Sequence, residues 1–120
     1  MTLNDYQEKA MATCMPSSEN FSYMMLNLVG EVGEFTSKVA KYMRKGESQI
    51  IWSILQLSLD EERRLEQREE LKAEAGDILW QLSGLCKVMG WSLEQVAQAN
   101  LDKLASRKER GVIDGNGDNR

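Results

Sequence analysis

Met24-Met25-Leu26-Asn27-Leu28-Val29-Gly30-Glu31-Val32-Gly33-Glu34-Phe35-Thr36-Ser37-Lys38-Val39-Ala40-Lys41-Tyr42-Met43 reads as the middle of one long helix. At about 100° per residue, Leu28, Val32, Val39 and Met43 line up as an apolar stripe, with Met25 and Val29 beside it. Asn27, Glu31, Glu34, Lys38 and Lys41 fall on nearly the opposite side. The helix is expected from roughly Glu19 to Lys45. Gly46 stops it, and Lys41, Arg44 and Lys45 lie where cations suit the negative end of the dipole.

The flanking sequence continues in the same vein. Thr2 with Asp5 caps a short helix to about Thr13, which Met15-Pro16-Ser17-Ser18 ends. Ser48–Leu57 reads as a short apolar helix. Ser58 with Glu61 has the spacing of a capping box for a second long helix that ends near Gly90. Ser92 with Gln95 opens a last helix through about Glu109. No stretch alternates apolar and polar residues, so no strand is expected. Gly111–Arg120 is a turn-rich tail. The expectation is one all-α domain over residues 1–120, a bundle of about four to five helices completed by oligomerisation.

Composition narrows the chemistry. Histidine is absent, and Cys14 and Cys86 stand far apart with no CxxC spacing. A thiolate zinc site and any histidine-based couple or general base are therefore excluded. Nineteen acidic against fifteen basic residues give a net charge of −4, which argues against nucleic acid as a partner. No apolar run approaches the ~20 residues that span a bilayer, and Met1–Ala10 lacks a signal layout. A membrane partner is not expected, and the cysteine usage fits a reducing cytoplasm. What remains is chemistry by carboxylates, lysines, arginines, hydroxyls or a metal held by oxygen.

Carboxylates supply the lead. Glu31 and Glu34 are i, i+3 neighbours on the first long helix. On the second, Leu71, Ile78, Leu82, Leu85 and Met89 make an apolar face, and Glu74 projects into it with Asp77 three residues on. A carboxylate among leucines loses hydration unless a cation or several donors compensate. Gly30, Gly33, Gly76 and Gly84 each cost up to ~1 kcal/mol relative to Ala inside a helix. They mark close approach of a ligand or a tight helix crossing. Two helices with two carboxylates each suit a hard divalent cation, Mg²⁺ above all.

Gly30-Glu31-Val32-Gly33-Glu34-Phe35 and Glu74-Ala75-Gly76-Asp77-Ile78-Leu79-Trp80 resemble the ExxE and ExxD helices of MazG-like, all-α nucleoside triphosphate pyrophosphohydrolases. Asn100-Leu101-Asp102-Lys103-Leu104-Ala105-Ser106-Arg107, followed by Lys108-Glu109-Arg110-Gly111, is similar to a basic segment that some members place on the triphosphate. Gly117-Asp118-Asn119-Arg120 looks like an ending of short, phage-associated members. The resemblance implies Mg²⁺, with Mn²⁺ as a substitute, on Glu31, Glu34, Glu74 and Asp77. It implies attack of an acidified water on the α-phosphorus, giving a nucleoside monophosphate and pyrophosphate. Lys38, Lys103 and Arg107 are then the phosphate-binding candidates. Tyr23, Asn27 and Trp80 are the nucleoside-binding candidates. A homodimer or homotetramer is expected to close the site.

The chain departs from many members between Glu34 and Glu74. Gly46 to about Arg68 adds an apolar run, Ile50, Ile51, Trp52, Ile54, Leu55 and Leu57, and then a charged one. Trp52 and the isoleucines are expected to be buried, within the subunit or between subunits. Arg110 or Arg120 in the tail is expected near the phosphates. Two other readings stay open: pyrophosphohydrolysis of phosphoribosyl-ATP, and a non-enzymatic helical interaction module using Ile50–Leu59.

Overall fold

Local hydrogen bonding sets the helix ends in the computed structural model, which describes residues 1–120. Helix α1 (Leu3–Met11) begins with a full capping box, Thr2 Oγ1 accepting from Asp5 N while Asp5 accepts from Thr2 N. A 3₁₀ turn (Pro16–Ser18) follows, then α2 (Phe21–Arg44), capped by Asn20. Two short strands, β1 (Gln49–Ile51) and β2 (Ile54–Gln56), precede α3 (Glu61–Val88) and α4 (Leu93–Glu109). Ser92 and Gln95 form the expected capping box of α4. Gly46 and Gly90 close α2 and α3 at positive φ, and Glu47 N and Trp91 N donate back to Tyr42 O and Cys86 O. The architecture is all-α apart from one hairpin.

That hairpin is a correction. Ser48–Leu57 was expected as a helix. Instead, Gln49, Ile50 and Ile51 pair antiparallel with Gln56, Leu55 and Ile54 around Trp52-Ser53. A short apolar run cannot be assigned by periodicity alone, and its β-branched isoleucines favour strands. Trp52 was expected to be buried; within the chain it is 92% exposed at the hairpin tip. The cap of α3 also shifts. Asp60 accepts from Arg63 N, while Ser58 Oγ accepts from Asp60 N.

Helices α2 and α3 form the main antiparallel pair. Met24 lies against Gly84, where a Cβ would collide with its sulfur. Further along, Lys38 meets Glu74, and Tyr42 hydroxyl donates to Glu70. Arg63 stacks on the Tyr42 ring and bonds Glu47, Glu66 and Glu70, which ties the hairpin's root to α3. Gln67, fully buried, accepts from Ser58 N and donates to Glu47 O. Helix α1 lies across this pair, and its Ala10 and Met11 join Met24 in the core with Tyr6, Cys14, Trp80, Leu85 and Val88 around them. Helix α4 is held to α1 by Asn4–Glu94 contacts and by Gln7 accepting from Leu93 N.

The orientation of α2 departs from a simple amphipathic reading. Val32 and Met43 of its apolar stripe, with Met25 and Val29 beside it, are 42–66% exposed; Leu28 and Val39 are half-buried, as are Asn27, Glu31 and Lys38 toward α3. Part of the polar stripe faces inward because Lys38 finds Glu74 there and Met24 and Tyr42 supply the packing, while Glu34 and Lys41 stay exposed. The radius of gyration is 17.8 Å, against about 13.6 Å for a compact chain of this length. A single chain leaves much of its apolar surface uncovered.

Candidate metal centre

Glu31 from α2 and Glu74 and Asp77 from α3 each bring a carboxylate oxygen to one place, the three oxygens lying within 4.8 Å of one another. The i, i+3 spacing puts Glu74 and Asp77 on one side of α3, and the antiparallel pairing brings Glu31 level with them. Lys38, two turns along α2, places Nζ 2.7 Å from Glu74 Oε1. Asn27 Nδ2 donates to Glu31 Oε1 at 3.3 Å and lies 3.5 Å from the Tyr23 hydroxyl. A polar row thus runs from Tyr23 through Asn27 to the carboxylates and ends on Lys38.

The electrostatics follow from this crowding. Burial holds the Glu31 carboxyl above its ordinary range, and the charges of Asp77, Glu74 and Glu34 push it the same way. The Asn27 hydrogen bond pulls against them. Lys38 is raised chiefly by its hydrogen bond to Glu74, with burial opposing. Tyr6 on α1 is raised by burial first and then by the charge of Asp77. The donor set fits a hard divalent cation: all ligand atoms are oxygen, and mutual repulsion makes a positive centre favourable. At Gly33 and Gly76 nothing lies within 4 Å of where a Cβ would be, so space is open on both helices beside the carboxylates.

Other expected site residues are placed differently. Glu34 is exposed and stays outside the three-oxygen group, within electrostatic reach of Glu31. Lys38, expected to bind phosphate, is paired with Glu74. Trp80 was expected beside a nucleoside; it packs on the Ala10–Met11–Met24 core, and its Nε1 donates to Ala10 O and Thr13 Oγ1. Its polar atom is thereby committed to α1. Lys103 and Arg107 have no ion pair with Glu31, Glu34, Glu74 or Asp77 and instead face Asp118 at 3.7 and 3.2 Å. Arg110 and Arg120 bond within the tail itself.

Two residues escaped the sequence reading. Tyr6 sits one turn before Ala10 on the face of α1 that packs on the core, and that i, i+4 relation was its only signal. Asp118 was noticed only as part of a terminal motif, and nothing local shows that it folds back onto α4.

Comparison with known proteins agrees with this architecture. The family model described as the MazG nucleotide pyrophosphohydrolase domain matches residues 19–112. The chain is similar to "Gene 37 protein" of Mycobacterium phage L5, 41% identical over 104 residues, which are 87% of this chain and 80% of that protein. No solved structure matches.

Proposed function

Because the chain belongs to the MazG nucleotide pyrophosphohydrolase family, we propose that it hydrolyses a nucleoside or deoxynucleoside triphosphate to the monophosphate and pyrophosphate. The observation that carries this is the convergence of Glu31, Glu74 and Asp77 across the α2–α3 pair. These residues, with Glu34 joining from the exposed side, hold Mg²⁺, for which Mn²⁺ substitutes. The metal, when bound, supplies a Lewis acid for phosphoryl oxygens and acidifies water.

The chain's own residues do the rest. Lys38 keeps a positive charge against Glu74 and is positioned to follow negative charge as phosphates arrive. Asn27 orients Glu31 through its hydrogen bond, and with Tyr23 extends the polar row toward the nucleoside. Lys103 and Arg107 take the phosphate end, Lys as a point charge and Arg as a fork. The exposed Leu26, Val29 and Val32 support a homodimer or homotetramer in which a second copy covers this face.

The test is release of pyrophosphate from a panel of nucleoside triphosphates and phosphoribosyl-ATP with Mg²⁺ or Mn²⁺. Turnover of one triphosphate that Glu31→Gln and Asp77→Asn both abolish supports the reading. No turnover of any of them at micromolar enzyme would leave a helical interaction module as the better account.

A further inference from the structure

The tail beyond α4 folds back on the helix that precedes it. Val112 N donates to Arg107 O at 2.9 Å and Gly115 N to Val112 O at 3.0 Å. Arg120 Nε reaches Val112 O at 3.1 Å, and Arg110 Nη2 reaches Arg120 O at 2.6 Å. This loop covers Arg107, whose side chain is 5% exposed, and sets the Asp118 carboxylate between Arg107 and Lys103. An anionic group thus already sits on both cations that the phosphate end requires.

The hold is incomplete. Only Nη2 of Arg107 is engaged, donating to Asp118 Oδ1 at 3.2 Å and to Asp118 O at 3.3 Å. Arg107 Nε is buried and has no acceptor. A guanidinium offers five donors in a fork that matches two oxygens of a phosphoryl group, so its present partner leaves capacity unused. The Asp118 side chain is 87% exposed, so water competes for it. Arg107 cannot touch a phosphate while the loop lies over it.

We propose that residues 112–120 form a displaceable strap in which Asp118 occupies the anion site of Lys103 and Arg107, and that a phosphoryl group binds there by displacing it. The strap rests on the reading that Lys103 and Arg107 take phosphate. It adds that the free chain is self-inhibited at that site.

The experiment titrates inorganic pyrophosphate, without metal, into the full chain and its Asp118→Asn and Arg107→Ala variants, with amide exchange of Val112 followed in the unaltered chain. Asp118→Asn should bind pyrophosphate roughly threefold to fivefold more tightly, the scale of an exposed ion pair lost as a competitor. Val112, whose N–H donates to Arg107 O, should exchange faster once pyrophosphate is added, because the loop lifts off α4. Equal or weaker binding by Asp118→Asn, or exchange at Val112 that slows or does not change, overturns the strap. Undiminished binding by Arg107→Ala overturns it as well, yet leaves nucleotide hydrolysis at the carboxylates standing. Tighter binding by Asp118→Asn in a chain that turns over no nucleotide supports the strap and defeats the hydrolase reading.

Discussion

Lys38 Nζ on α2 lies 2.7 Å from Glu74 Oε1 on α3, and the two side chains are unequally exposed, 35% against 12%. The pair crosses the helix interface at the edge of the carboxylate cluster. It supplies a positive charge where Glu31, Glu74 and Asp77 would otherwise repel without relief. The inequality in exposure matters. A lysine that loses its partner can swing its ammonium into water, whereas Glu74 cannot move away from Glu31 and Asp77.

Removing the lysine should therefore cost more than removing the glutamate. In metal-free protein Lys38→Met should melt lower than the unaltered chain, by less than the loss of a fully buried pair would cause because Lys38 keeps some exposure. Glu74→Gln should lose less, since it also relieves repulsion. Added Mg²⁺ at about 100 times its dissociation constant should restore about 2.7 kcal/mol to Lys38→Met and little to Glu74→Gln. Thermal melts with chelator and with Mg²⁺ measure all four states. A Glu74→Gln protein that melts lower than Lys38→Met, with no metal response in either, would contradict the site.

Tyr42 and Glu70 make the acid-sensitive contact. Glu70 is held below its ordinary range, chiefly by the hydrogen bond from the buried Tyr42 hydroxyl and then by Arg63. A lowered carboxyl contributes stability that is complete above its unfolded value near 4.5 and is lost as pH falls through the folded value. Tyr42→Phe should lose roughly 1–2 kcal/mol at neutral pH, discounted because Glu70 is 38% exposed. It should also lose less than the unaltered chain on acidification below 4.5. Melting curves between pH 7 and 3 that run parallel for the two proteins would show that Glu70 does not depend on Tyr42.

Two helix glycines should respond in opposite directions. At Gly84 a Cβ meets the sulfur and terminal methyl of Met24, which is fully buried and cannot retreat freely. Gly84→Ala should cost about 1–3 kcal/mol from overpacking, only partly offset by ~1 kcal/mol of helix propensity. At Gly76 a Cβ meets nothing within 4 Å, so Gly76→Ala should gain about 0.5–1 kcal/mol. Denaturant midpoints decide, and a stabilised Gly84→Ala would show that the α2–α3 crossing is looser than drawn.

Trp52 and Ser53 turn the hairpin at φ 53° and 66°, a region where non-glycine residues are disfavoured. Two-residue turns with positive φ at both positions favour Asn-Gly. Changing Trp52→Asn with Ser53→Gly should therefore stabilise the chain by about 1 kcal/mol. Hairpin amides such as those of Ile51 and Ile54, the pair that closes the turn, should exchange more slowly. A loss of stability would mean that Trp52 is covered by something the single chain does not contain.

The helices were legible in the sequence because their ends depend on partners within a few residues. Thr2 with Asp5, Ser92 with Gln95, and the stops at Gly46 and Gly90 form the same bonds wherever the helices later pack. The pairing of Glu74 with Asp77 on one face is likewise a property of helical spacing. Tertiary structure alone decided which way each face turned. Periodicity showed that Asn27, Glu31 and Lys38 share a side of α2, but their burial against α3 follows from Lys38–Glu74, Met24 on Gly84 and Tyr42 on Glu70. The hold of α1 on Trp80 and the return of Asp118 to Arg107 are of the same kind. Each depends on groups distant along the chain, whose meeting is set by the competition among all available partners and not by local geometry.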